Sequence, residues 1–226
     1  MNTSELYDAF RSEVADTARP YLWSDADVFR YMADAHRMYV RLIGGIADFD
    51  SVATSLDVVA GESLFTIHPS VLRVMRATRR SDGGQIEVIN STDLGKIRSI
   101  DYSQVKQLQL DSKAGTVRYM MIGANKKSGK WVQIPETNDT VDLMVYRLPL
   151  QIVSDADQEI YEVDEEHHIH LLDWMKHLAY KKQDADTFDK GRSDQFKADF
   201  ETYCHQAKAE VERFKHKTRV VSYGGL

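Results

Sequence analysis

The spacing of apolar residues along this chain changes twice, from steps of three and four to strict alternation and back again. Leu6, Phe10 and Val14 fall at i, i+4 and i+8, which predicts one stripe of a short helix. Arg19-Pro20 predicts its end, because the residue before proline avoids the helical region. Ser24 is suited to cap a second helix through its hydroxyl, with Asp25 and Asp27 beside the positive helix pole. Val28, Met32, Ala35, Tyr39, Leu42 and Ile46 carry that helix forward, and Gly44-Gly45 predicts its left-handed stop. From about Thr54 to Val153 the period is two. Leu56-Asp57-Val58, Ile86-Glu87-Val88 and Val141 to Tyr146 alternate, as half-buried strands do. Ser81-Asp82-Gly83-Gly84 and the stretch Ala124 to Gly129 predict hairpin turns. Ser91-Thr92-Asp93-Leu94 predicts the start of one short helix within this region.

Helical spacing then returns. Leu171, Leu172, Met175, Leu178 and Ala179 make one apolar face, closed by Lys181-Lys182 at the negative pole. Phe196, Phe200, Tyr203, Ala207, Val211 and Phe214 predict a long amphipathic helix. Arg219-Val220-Val221-Ser222-Tyr223 has strand composition, and Gly224-Gly225-Leu226 is a poor helix former. The expectation is an α+β chain in which two N-terminal and two C-terminal helices form a bundle interrupted by a small antiparallel β domain. Its parts are an N-terminal helical pair (1–53), a β-rich insertion (54–153), C-terminal helices completing the bundle (154–217) and an extended tail (218–226). Helices from the two ends must meet, because neither pair can bury its stripe alone.

Charge and cysteine content narrow the partners. Twenty-nine basic against thirty-five acidic residues give a net charge of −6, which excludes a wholesale basic DNA coat but not a local patch. The single cysteine, Cys204, forms no intrachain disulfide and fits a reducing compartment. The opening residues lack the basic and apolar regions of a signal peptide. No apolar run approaches the roughly 20 residues of a membrane span. The reading is a soluble protein assembled in a cytosol.

The most tempting chemistry lies in Glu165-Glu166-His167-His168-Ile169-His170, with His177 beyond. On an α-helical wheel of about 100° per residue, His167, His170 and His177 share a polar edge, while His168 falls amid Leu171, Met175 and Ala179. His168 is therefore expected to be a buried, neutral, hydrogen-bonded structural residue. His167 and His170 lie one turn apart, but a metal site there needs ligands from elsewhere. No metal, cofactor or catalytic residue is assigned, and the plainer reading is a wet histidine edge facing a neighbour. Gly-rich phosphate loops, GxSxG and HExxH are absent from the sequence. Cys204 is expected to be a small, half-buried side chain rather than a nucleophile.

Seven acids and no base occur from Asp155 to Glu166. They fit either a cation or basic-partner site or, as charge runs more often are, a solvated linker. Arg73, Arg76, Arg79 and Arg80 would split between the two faces of a strand, Arg73 with Arg79 and Arg76 with Arg80, which weakens a phosphate track. Lys126, Lys127 and Lys130 crowd a hairpin tip, and neither basic group has the aromatic interleaving of a single-strand binder. The segment Thr218 to Leu226 either frays or adds to a partner's sheet edge or groove.

Several passages, taken in order, resemble the tailed-phage head-to-tail adaptor, or connector, proteins. They are Glu5 to Phe10 with Tyr21-Leu22-Trp23-Ser24-Asp25 and Arg41 to Gly45; Ile67 to Ala77; Gly129 to Pro135 with Val141 to Pro149; and His168 to Trp174 with Ala179 to Thr187. Glu136-Thr137-Asn138 departs from relatives that carry a second proline, which bears on a local turn. The resemblance covers nearly the full length, and the order of the passages is more specific than any one of them. It implies a non-enzymatic virion protein of the neck, assembled in the host cytoplasm. It further implies a homo-oligomeric ring of twelve copies docked to the portal and joined to a tail or second neck protein. Double-stranded DNA would pass through during packaging and ejection without sequence-specific binding, and no membrane is involved. The implied portal-docking segment falls on Thr218, Arg219, Val220, Val221, Ser222, Tyr223, Gly224, Gly225 and Leu226. Rival readings are a metal-dependent enzyme built on His167 and His170, and an assembly chaperone absent from the finished particle.

Overall fold

The computed structural model describes residues 1–90, 114–125, 127–151, 162–183 and 187–215. Ser91 to Leu94, most of the acidic run and the whole segment Thr218 to Leu226 lie outside these residues. The chain is mixed α+β and divides into two compact units, Met1–Gly44 with Pro149–Leu226, and Gly45–Leu148.

The first unit carries helices α1 (Thr3–Glu13), α2 (Asp25–Ile43), α3 (Leu171–Lys181) and α4 (Lys190–Lys215). Asn2 starts α1 with a capping box, accepting from the Glu5 amide at 2.8 Å while the Glu5 carboxylate accepts from the Asn2 amide at 3.0 Å. The helix ends at Glu13, seven residues before Pro20, and Ala15 takes a left-handed φ of 56°. Ser24 caps α2 as expected, accepting from the Asp27 amide at 3.2 Å. Gly44, with φ 103°, stops α2 after Ile43, so Ile46 belongs to a strand although its spacing continues the helical stripe. Asp189 caps α4, its carboxylate accepting from the Arg192 amide at 3.1 Å. Leu6, Phe10, Met32, Ala35, Leu171, Met175, Ala179 and Phe200 are fully buried. Each large apolar side chain among them is worth about 1.5–3 kcal/mol of transfer free energy. Polar ties join early and late helices. The Trp23 indole donates to the Ala179 carbonyl at 3.1 Å, and the Trp174 indole donates to Asp34 at 2.8 Å. Lys176 donates to Glu13 at 2.7 Å.

The second unit is a curled sheet. Its strands are β1 (Ile46–Asp48), β2 (Ser55–Val58), β3 (Leu64–Thr66), β4 (Val71–Arg79), β5 (Gln85–Asn90), β6 (Ala114–Gly115), β7 (Tyr119–Asn125), β8 (Ser128–Trp131), β9 (Ile134–Pro135) and β10 (Asp139–Arg147). The main sheet runs β1-β10-β4-β5-β7-β8-β3, with β2 also on β10, and it curls until β2 approaches β3. Alternation holds along β10, where Val141, Leu143 and Val145 point inward. Trp131, Ile86 and Met120 fill the interior, and the Phe65 and Trp131 rings lie 4.3 Å apart. The expectation of an antiparallel sheet needs correction, because β5–β7 and β6–β9 pair in parallel. A parallel pair needs a crossover connection, which period-two spacing alone does not reveal.

Strand β4 departs from period two. Val71, Val74 and Ala77 are buried while Leu72, Arg73, Met75 and Arg76 are exposed. The pairing explains it. Val71, Arg73, Val74, Arg76 and Ala77 face Arg147, Tyr146, Val145, Met144 and Leu143 in turn, so Leu72 and Met75 are extra residues in two β-bulges.

Candidate functional site

The histidine-rich stretch is not a continuous α-helix. Glu165–His170 forms a 3-10 helix that runs into α3. A 3-10 helix turns in three residues, so side chains at i and i+3 eclipse. His167 and His170 accordingly converge on one residue, Tyr203 of α4. The His167 ring nitrogen Nδ1 meets the Tyr203 hydroxyl at 2.7 Å, and the His170 ring stacks on the Tyr203 ring at 3.4 Å. Tyr39 of α2 completes the aromatic group, 5.1 Å from His167. Burial lowers the pKa of His170. Of the two, His167 alone joins a potential ligand group, with Asp164 and Glu166, their ligand atoms lying within 4.8 Å of one another. His167 and His170, expected to form a wet edge facing a neighbour and kept only in a rival reading as metal ligands, form an aromatic staple between α4 and the 3-10 turn.

His168 is 7% exposed, with Nδ1 2.8 Å from the Met1 carbonyl and Nε2 3.0 Å from the Val163 carbonyl. Carbonyls only accept, so a ring N–H donates in a hydrogen bond to either of them. His177 also corrects its expectation of a wet edge, being only 6% exposed. Its Nδ1 lies 2.9 Å from both the Ser193 carbonyl and the Ser193 hydroxyl, and burial lowers its pKa. A serine beside a histidine suggests a nucleophile and base. Here the Ser193 hydroxyl donates to the His177 carbonyl at 3.0 Å and both side chains are buried, so the pair fastens α3 to α4.

Cys204 is 1% exposed rather than half-buried, and burial pushes its thiol up to about 12. That opposes the thiolate a nucleophile needs. Within the acidic run, the Glu162 carboxylate accepts from the Leu150 and Gln151 amides at 2.7 and 3.1 Å, a structural role that charge spacing does not disclose.

The arginines of β4 are also placed differently from expectation. The bulges put Arg73 and Arg76 on the same outer face, opposite Tyr146 and Met144. Arg79 turns to Asp82 and the Val117 carbonyl, and Arg80 pairs with Asp142. The Arg79 guanidinium, helped by the Gly84 amide, holds the Asp82 carboxyl down to about 2. A shallow hollow of about 630 Å³ beside them is lined by Arg79, Gln85, Glu87, Arg118 and Tyr119.

A second feature of the sheet unit was missed by sequence reading. The Asp48 carboxylate is buried against the Arg147 guanidinium and also accepts from the Asp50 and Ser51 amides at 3.1 and 3.2 Å. Burial alone would raise its pKa, but these bonds outweigh it and hold Asp48 well below the carboxylate range. Ser51 in turn caps the 3-10 turn Val52–Thr54 by accepting from the Ala53 amide at 3.2 Å. The loop so fixed presents Phe49 and Val52 at 75% and 76% exposure.

Aromatic and ionic staples thus hold one unit, and a fixed loop and a bulged outer face mark the other. The family model described as SU10 adaptor protein matches residues 1–221, and the chain belongs to that family, one of phage head-to-tail adaptors. Membership makes it a structural bacteriophage protein. Comparison with curated proteins gives no match. No helix among the described residues is long and apolar enough to cross a membrane.

Proposed function

We propose that this chain is a connector subunit of the virion neck, docking to the portal and joining it to the tail. The single observation that carries the reading is the adaptor-family match over residues 1–221. In this proposal the two N-terminal and two C-terminal helices act as one bundle, and twelve copies close a ring around a channel for double-stranded DNA. A ring multiplies each weak contact. A net charge of −6 suits a conduit, because gripping DNA takes lysines and arginines that release counterions from its phosphates. The work is structural, with no cofactor and no catalysis.

The portal contact is assigned to Thr218 through Leu226, which follow α4 in the sequence. Removing these nine residues is expected to leave a folded subunit that no longer co-sediments with purified portal. Unchanged portal binding refutes the docking role. Mass spectrometry of purified virions tests the wider reading, since absence of the chain from particles defeats it in favour of an assembly chaperone.

A further inference from the structure

The outer face of β4 and β10 combines two properties rarely left together. Arg73 and Arg76 are exposed and have no ion-pair partner among the described residues. Around them Leu72, Met75 and Met144 are 36%, 44% and 44% exposed. Unbranched methionine side chains adapt to an incoming apolar group and make favourable contacts with aromatic rings.

The loop after β1 carries the complement. Phe49 and Val52 are nearly fully exposed, and between them the Asp50 carboxylate is exposed with no partner among the described residues. The loop is held in shape by the Asp48–Arg147 pair and the Ser51 cap. A pre-ordered loop loses little conformational entropy on docking, so its apolar tips are suited to anchor a contact.

Apolar–acid–apolar therefore stands against apolar–base–apolar on one chain. The two cannot be the same patch, because β1 and β2, which bracket the loop, flank β10 on one side while β4 flanks it on the other. We propose that the Phe49–Val52 loop of one copy docks on the Leu72–Arg76 face of a second copy, with Asp50 paired to Arg73 and Arg76. Such a contact is heterologous, each copy giving one surface and receiving the other, and it leads to a ring or an open chain of subunits. The inference rests on the connector reading for its oligomeric setting, but it concerns self-association alone.

Charge reversal tests it. Full-length Asp50→Arg and full-length Arg73→Asp/Arg76→Asp are each made and checked for a native melting curve; all three sites are exposed. Sedimentation velocity follows self-association over a concentration series up to roughly 100 μM, the range of a weak contact. Wild type is expected to associate, and each variant alone is expected to lose at least about tenfold in self-affinity, because like charges then meet at the contact. Mixed in equal amounts, the two variants are expected to recover association, since each loop now meets an opposite charge on the other variant's face. Wild type that stays monomeric throughout, variants that associate like wild type, or a mixture that fails to recover overturns the proposal. Portal co-sedimentation of wild type is read in parallel. Portal binding without self-association sinks this inference and spares the connector reading, whereas self-association without portal binding does the reverse.

Discussion

Arg11 is the side chain whose removal the helical unit should feel most. It is 4% exposed, yet each part of its guanidinium is engaged. Nη1 donates to the Asp16 carboxylate and, at 2.7 Å, to the Trp23 carbonyl; Nη2 donates to Asp25 at 2.7 Å; Nε donates to the Tyr7 hydroxyl at 3.1 Å. The Tyr21 ring lies 4.0 Å from the guanidinium carbon. These contacts fix the connection between α1 and α2. Arg11→Met keeps much of the apolar stem but leaves the buried Asp16 carboxylate with only the Leu22 and Trp23 amides, at 2.9 and 3.3 Å. Removing one partner of a buried ion pair costs about 3–5 kcal/mol. At about 2–4 °C per kcal/mol in a chain of this size, the helical transition should fall by roughly 6–20 °C. Thermal unfolding followed by the helical circular-dichroism signal measures this shift for the helix-rich unit, and urea unfolding by the same signal measures the free-energy loss. Asp16→Asn completes a double-mutant cycle, because asparagine carries no charge and its single carbonyl oxygen keeps only one of the two amide bonds, which Asp16 accepts on separate oxygens. The asparagine change should cost less in the Arg11→Met background than in wild type, with a coupling of about 1–3 kcal/mol. A loss below about 1 kcal/mol for Arg11→Met, or no coupling, would show that the charge is not what holds this connection.

Other perturbations have defined outcomes. Asp48 has a lowered pKa, so its ion pair contributes fully above the ordinary carboxylate value of about 4 and is lost as pH falls further toward the native value. Asp48→Asn should therefore destabilise the sheet unit at neutral pH, and its deficit against wild type should shrink below about pH 4 in acid-denaturation curves. Cys204 should resist a maleimide at about pH 8 in the native protein and react promptly in denaturant, as buried, protonated thiols do; equal rates would contradict its burial. Gly45 has φ 103°, and an added Cβ would lie 3.0 Å from the Tyr146 Cβ and 3.2 Å from the Arg147 amide nitrogen. Gly45→Ala should cost more than Gly44→Ala, which shares the φ but meets open space; the latter carries only the left-handed penalty of about 1–2 kcal/mol.

The helices were legible because their stripes and caps are local. Leu6 and Phe10, Ser24 and Gly44, and Phe200 and Ala207 each do what their spacing implies. What escaped was set by neighbours in space. Ile46 keeps helical phase but lies beyond Gly44, where backbone conformation overrules periodicity. Glu165–His170 has residues that fit a 3-10 or an α-helix equally, and the choice decides whether His167 and His170 share Tyr203. The bulges at Leu72 and Met75 exist only in pairing with β10, so the arginines' faces could not be assigned from β4 alone. His177 carries a polar label on the wheel and is buried because Ser193 supplies both a carbonyl and a hydroxyl. The Phe49–Val52 loop had no periodic signal at all, since its order comes from Arg147, 99 residues after Asp48.

The split of the helical unit around the sheet unit also fixes an order of events in time. Trp23 and its acceptor Ala179 are separated by 156 residues. A ribosome adding about 5–20 residues per second makes Ala179 roughly 8–30 s after Trp23. Through that interval the whole of Gly45–Leu148 has been made and can bury its own interior, while the stripes of α1 and α2 have no later helix to meet. The sheet unit is thus able to ripen first, with the early helices held in waiting, and synthesis of α3 releases them. A slowing of translation between Leu148 and Leu171 would lengthen the exposure of Phe10 and Met32 without touching a single contact of the finished protein.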